Sequence, residues 1–323
     1  ELRRDGRRER VVSLPERIPA RTEVPTADGL FTVDEQVYHQ DRGSLSCSGA
    51  KLLLPPSCPA KFKARMDNPP PAKRHFEFGH LVHLLVLGIG VPTVEIDADN
   101  YRTKAAQEQR DAARAEGKIP VLVGADANDE FGAELAKAQA MADSVRAHPE
   151  AGELFRRGHP EKSLYWTDPE TGVRLRARAD WLTLINERLT CVDLKTAASV
   201  YRPDLERVFW KNGYYLQNAW YVRLLTAIKG SEPDFAFVCV EKEPPYLVEV
   251  VRYEPEDVAE GHRLNRIAID TFARCIETGE WPGYTDATAF RLPRWARPHP
   301  PTVGDLLDSY IYDTDPLEEE LQP

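Results

Sequence analysis

The sharpest chemistry in the chain is the tripeptide Asp193-Leu194-Lys195, which closes an apolar stretch that reads as a strand. Strand side chains alternate between faces, so Asp193 and Lys195 point one way while Val192 and Leu194 point into a core. Taken alone, a carboxylate beside an ammonium on a sheet face is an ordinary surface salt bridge. The preceding strand adds to it. Arg174, Arg176, Arg178 and Asp180 recur at period two and share one face, with Leu175, Ala177 and Ala179 on the other. One reading is a solvated charged edge; the other is a basic track that leads to a carboxylate. Antiparallel pairing across a turn at Asn186 would bring Asp180 near Asp193. Two carboxylates with a lysine form a hard-oxygen site suited to Mg²⁺ or Mn²⁺. Such a site can hold one or two ions against a phosphodiester, activate a water and stabilise the leaving oxygen. The lysine can position or polarise that water, or stabilise developing charge.

The elements that must position these residues follow from pattern and punctuation. Lys162 to Trp166 reads as a strand, Asp168-Pro169-Glu170-Thr171-Gly172 as a turn, and Val173 to Leu184 as a second strand. Asn186-Glu187-Arg188 turns the chain into a third strand, Leu189 to Lys195. A helix over about 204–228, kinked at Gly213, comes next. A strand pair, Phe235 to Glu241 and Tyr246 to Tyr253, is joined by Pro244-Pro245, and a helix from about Glu256 to Thr278 ends the series. Upstream, two short helices fit within 44–66, capped at Ser46 or Ser48 and at Ser57. The Pro-rich stretch 69–73 separates them from an apolar helix, Arg74 to Leu87, and amphipathic helices fit 103–116 and 126–147. The expected architecture is α/β: helices first, then a small sheet with a helix packed on it, then a helix. Residues 1–29 read as a flexible basic arm, 30–300 as the main domain (helical part 44–150, sheet core 160–280) and 301–323 as an acidic tail.

The ladder Glu161, Arg178-Ala-Asp180, Asp193-Leu-Lys195-Thr196, Gln217-Asn-Ala-Trp-Tyr221 resembles the PD-(D/E)XK nuclease superfamily. Within it, the chain is similar to the RecB-type and RecE-type (exodeoxyribonuclease VIII-like) branch that includes phage recombination exonucleases. Gly79 to His83 matches that branch's Gly-x-x-x-His helix, and Gln217 to Tyr221 its Gln-x-x-x-Tyr. Tyr38-His39, Leu45-Ser46-Cys47-Ser48 and Leu292-Pro293-Arg294-Trp295-Ala296 are similar to flanking segments of phage members. Where many members carry a Glu after the helix histidine, Gly88 stands.

The resemblance implies a restriction-endonuclease-like mixed β-sheet flanked by helices, with an N-terminal helical region. It implies that His83, Asp180, Asp193 and the Leu194 carbonyl are metal ligands. Lys195 would be catalytic, and Glu161 an outer or second-metal ligand. Gln217 and Tyr221 would face the substrate, with Arg174, Arg176 and Arg178 lining a DNA channel and Lys61, Lys63 and Arg65 forming a second patch. The implied activity is Mg²⁺-dependent digestion of duplex DNA from an end in recombination, 5′ to 3′. A ring-shaped homo-oligomer and a single-strand annealing protein as partner are implied with it. An endonuclease on the same fold, or an inactive DNA-binding recombination mediator, are the competing readings.

Composition sets outer bounds. At 323 residues, 42% hydrophobic and 29% charged, the chain is long enough for a sizeable core and too apolar for wholesale disorder. The net charge of −10 is uneven: five arginines lie within residues 3–10, and the last 22 residues hold acidic groups without Lys or Arg. The longest apolar run, Leu81 to Val91, is too short to span a membrane, and the opening ELRRDGRRER does not read as a secretory signal. Five cysteines without a CxxC pair argue for a reduced, cytoplasmic setting; the resemblance implies that of a phage-infected or bacterial cell. Cys239 and Cys275 are too dispersed for the iron–sulfur cluster of one sub-branch. No Gly-Lys-Ser/Thr run provides an ATP site.

Overall fold

A computed structural model of the chain describes residues 20–68, 76–88, 93–116, 119–122 and 130–284. The first 19 residues of the expected arm, the stretch 69–73, the segment Leu292 to Ala296 and the acidic tail lie outside the described residues. The described residues up to Trp281 belong to one compact unit.

The elements run β1 (Gly29–Phe31), α1 (Glu35–Gln40), β2 (Leu45–Ser46), α2 (Cys47–Leu52), α3 (Pro59–Asp67), α4 (Phe76–Leu87), β3 (Thr93–Ile96), α5 (Lys104–Ala115), β4 (Ile119–Leu122), α6 (Glu130–Ala147) and α7 (Pro149–Phe155). Then come β5 (His159–Thr167), β6 (Arg174–Ile185), β7 (Arg188–Ala197), α8 (Arg202–Asn212), α9 (Tyr214–Lys229), β8 (Asp234–Glu241), β9 (Val248–Val251) and α10 (Pro255–Thr278). A seven-stranded mixed sheet in the order β1-β5-β6-β7-β8-β9, with β2 also against β6, forms the centre. β3 and β4 make a separate parallel pair.

The β5–β6–β7 meander follows the local code. Asn186 and Glu187 both take positive φ, 49° and 67°, the backbone of a two-residue hairpin turn that matches strand twist. At the β5–β6 turn, the buried Asp168 carboxylate accepts from Thr171 (2.7 Å) and from Arg223 and Arg266 (both 2.9 Å), tying the turn to α9 and α10. The helix expected over 204–228 is two helices. Gly213 adopts φ 59°, ψ 47°, a left-handed C-cap that ends α8 and lets α9 start at a new angle. In α2, Ser46 caps by accepting the Gly49 N–H; the N-cap of α3 is Cys58, which makes no side-chain capping bond, and not Ser57.

The sheet is buried on both faces. Trp220, Leu224, Phe237 and Ile269 fill the side of α9 and α10. Val82, Met141, Leu154, Val192, Leu194 and Val238 fill the side of α4, α6 and α7. Val192 and Leu194 thus point away from Asp193 and Lys195, as the alternation requires.

The arginines of β6 do not form an open track. Arg176 is only 8% exposed; its guanidinium donates to the Ser44 carbonyl (2.6 Å) and hydroxyl (2.9 Å), and Asp41 stands at 3.4 Å. Arg174 binds Asp28 and the Ala27 carbonyl, and Arg178 binds Glu161 and the Val33 carbonyl. The segment from about 25 to 46 lies over this face of β6, and arginine's five donors satisfy its backbone carbonyls. Replacing Arg176 with Met leaves Asp41 without its buried counter-ion. We expect a loss of about 2 kcal/mol in denaturant unfolding, with no change in the salt dependence of nucleic-acid binding.

Candidate active site

The site forms where β6 changes partners. Residues Leu175 and Arg176 pair with β2, while Trp181 to Ile185 pair with β7. On the other side, the β5 ladder joins Pro160 to Trp181 and Lys162 to Ala179 but skips Glu161 and Asp180. Asp180 therefore stands at a break in both ladders. Ala179 packs against the core under α9, yet Trp181 packs in the core under α7, so the side-chain alternation slips at this point. Side chains satisfy the groups freed by the break. The Leu194 N–H donates to Asp180 Oδ2 (2.9 Å), Trp220 Nε1 to the Arg176 carbonyl (3.0 Å), and the Tyr221 hydroxyl to the Arg178 carbonyl (2.8 Å).

Asp180 faces α4, where His83 Nδ1 lies 3.5 Å from its Oδ2. Burial, and then the nearby charge of Asp193, hold the Asp180 carboxyl well above the usual carboxylate range; Lys195 and the Leu194 N–H only partly offset this, and Glu161 adds to it. Asp193 is 2% exposed, ion-paired to Lys195 and hydrogen-bonded by the Gln217 amide. The Lys195 ammonium also sits over the rings of Tyr214 (4.9 Å) and Phe237 (5.9 Å). Although burial opposes its charge, the Asp193 and Asp180 carboxylates raise its pKa, so it is held as an ammonium.

The structure brings His83, Glu161, Asp180, Asp193, Leu194, Lys195 and Gln217 to this break. It gives Gln217 an Asp193-orienting contact. Tyr221 is 9% exposed, and its hydroxyl is engaged by the β6 backbone, so it braces the opening of the sheet and does not face the substrate in this conformation. Glu161 is clamped by Arg178 and takes a left-handed φ of 46° within β5, a costly backbone for a side chain other than glycine. Sequence reasoning missed Tyr214, although it lies one turn before Gln217 on the same helical face. It also missed Lys51, which no local pattern marks. Among Lys61, Lys63 and Arg65, Lys63 pairs with Asp67 on its own helix.

The donor chemistry fits a hard divalent ion: Asp180, Asp193, an imidazole nitrogen and the Leu194 carbonyl, with buried like charges that a dication would offset. Among the described residues, no three His, Cys, Asp or Glu side chains converge on one point; Asp193 is turned toward Lys195 and Gln217. Cys47, Cys58, Cys191, Cys239 and Cys275 are buried free thiols. No helix among the described residues is long and apolar enough to cross a membrane.

The fold has solved counterparts. A crystal structure of a candidate exonuclease from Eubacterium rectale superposes with a TM-score of 0.52 over 81% of this chain and 95% of that one, at 11% identity. The crystal structure of SSO0001 aligns far more loosely, with a TM-score of 0.26 and 13% identity over 60% and 86%. No curated protein matches the sequence. The family model described as "PDDEXK-like domain of unknown function (DUF3799)" matches residues 46–291, most of the chain, including strands β5 to β9 and the break in β6, and the chain belongs to that family.

Proposed function

We propose that this protein is a divalent-metal-dependent nuclease that hydrolyses DNA phosphodiesters from duplex ends. The observation that carries the reading is the Asp180–Asp193–Lys195 set at the break between β6 and β7, with Asp193 buried and Asp180 and Lys195 half-buried, which has no packing role that an apolar trio would not fill better. A bound Mg²⁺ or Mn²⁺ would neutralise phosphate charge and acidify a water. Asp180, Asp193, His83 and the Leu194 carbonyl would hold it.

The chain's own groups account for the rest. Lys195 stays protonated and offers its N–H donors to charge developing on the phosphoryl oxygens. Asp193, locked by Gln217, keeps the Lys195 ammonium at the mouth of the break. Tyr214 and Phe237 carry its underside and keep water from that flank.

End-dependence rests on the resemblance to recombination exonucleases and on the likeness to the Eubacterium rectale protein. The 5′ to 3′ direction, the ring-shaped homo-oligomer, the annealing-protein partner and the recombination setting rest on the resemblance alone, and the cytoplasmic setting on the cysteine usage. The test is Mg²⁺-dependent digestion of linear and closed-circular forms of one plasmid, with the linear form labelled at either end. Loss of the linear form alone, with the 5′ label released first, is the expected result. Cutting of the circle would instead favour an endonuclease, and no cutting of any DNA would overturn the nuclease reading.

A further inference from the structure

Beside the catalytic set lies a cation that it does not use. Lys51, on α2, rests 5.5 Å above the centroid of Tyr214, the same ring that carries Lys195 at 4.9 Å. The two ammonium groups therefore share one aromatic platform. Their electrostatic situations differ. Lys195 has the Asp193 carboxylate; Lys51 donates to a neutral partner, the Asn212 carbonyl, at 2.8 Å, and no carboxylate lies within ion-pair distance of it among the described residues. Burial and the neighbouring Lys195 charge both disfavour its ammonium, with Cys47 and Asp193 acting the other way. A partly buried cation facing a second cation costs free energy unless an anion completes the arrangement.

We propose that Lys51 is a substrate-binding residue that takes the phosphate neighbouring the scissile one. This rests on the nuclease reading and deepens it: the ligand is a nucleic-acid strand that presents two consecutive phosphodiesters across Tyr214. One meets Lys195 and is cut; the other meets Lys51 and sets the register. Lys51 has donors beyond the one bound to Asn212, because an ammonium carries three. Its anchoring on the α8 end also fixes its distance from Lys195, so the pair reads phosphate spacing.

The experiment uses the full-length chain with linear duplex DNA carrying one uncharged methylphosphonate linkage, moved stepwise through the terminal linkages. Binding is measured with Ca²⁺ and cleavage with Mg²⁺. Lys51→Ala and Lys51→Met are both made, the second keeping the apolar stem on Tyr214. Each should lower kcat/KM about tenfold on all-phosphate DNA and flatten the plot of log affinity against log salt by roughly one unit. In the wild type, one position next to the cut should be sensitive to the neutral linkage, and both variants should lose that sensitivity. Lys51→Arg should restore the slope. A helix-capping role for Lys51 would lower melting temperature but leave slope and linkage sensitivity intact, and that result would overturn the proposal. Wild-type protein that cuts no DNA would remove the nuclease reading itself, whereas wild-type cutting with unchanged Lys51 variants would remove only this inference.

Discussion

Lys195→Ala should lower turnover on linear DNA by on the order of a hundredfold or more, about 3 kcal/mol of transition-state stabilisation. The structure adds a second consequence. Asp193 is nearly inaccessible, and Lys195 is its counter-ion. Removing the lysine leaves a buried carboxylate held by Gln217 alone, so the variant should also melt earlier. Adding Asp193→Asn to Lys195→Ala removes that stranded charge. Much of the lost melting temperature should return while cleavage does not. Single-turnover cleavage and thermal melts of the wild type, the single variant and the double variant separate the two effects. Near wild-type turnover in Lys195→Ala would remove the lysine from the chemistry.

Asp180→Asn should reduce Mg²⁺-dependent cleavage by roughly a thousandfold, since the metal's contribution is worth several kcal/mol. The amide can still accept the Leu194 N–H, but it cannot supply the negative charge that a hard cation needs. Stability should move the other way. The folded protein holds the Asp180 carboxyl above its ordinary range, so its ionised form is disfavoured on folding. For an acid raised in this way, the penalty is greatest above the folded-state pKa and fades as pH falls below it. In a chelator, at neutral to alkaline pH, Asp180→Asn should melt at or above the wild type. Asp193→Asn, which breaks the Lys195 pair, should melt below it. Calorimetric Mg²⁺ titrations of both variants check the first half, since unchanged affinity would contradict the site; melts with and without Mg²⁺ check the second. On the proposed reading the set would trade stability for function, as residues kept for chemistry commonly do.

Much of this site is legible from local pattern because its parts are local. The Asn186 turn fixes the register that pairs Trp181 with Val192 and so brings Asp180 near Asp193, and period two alone puts Asp193 beside Lys195. The arginines show where such reading stops. Alternation places Arg174, Arg176 and Arg178 on one face, but nothing in their spacing says whether water, DNA or another part of the chain covers it. The cover comes from residues 25–46, more than a hundred positions upstream, in pieces as short as the two-residue β2. Tyr221 misled for a related reason: its helical face does point at the site, but its hydroxyl stops at the β6 backbone. The break in the β6 ladders depends in part on β2, a strand partner distant in sequence, and a propensity scale carries no trace of it.

The fork in β6 also bears on how the molecule comes to be. The hairpins β5–β6 and β6–β7 close over short turns, whereas β2 joins β6 across about 130 residues of intervening chain. Contacts close in sequence have the smaller loop-closure entropy to overcome, so the meander can condense while the β2 strand is still loose. At that stage Asp180, Asp193 and Lys195 are already linked in sequence, but Lys51, which follows β2 by five residues, is not yet docked on Tyr214. A chain caught before this last closure would hold Asp180 and Asp193 without the α2 side of the site. On the proposed reading, completion of the fold would act as a safeguard: Asp180, Asp193 and Lys195 would meet Lys51 only in a molecule that has finished assembling.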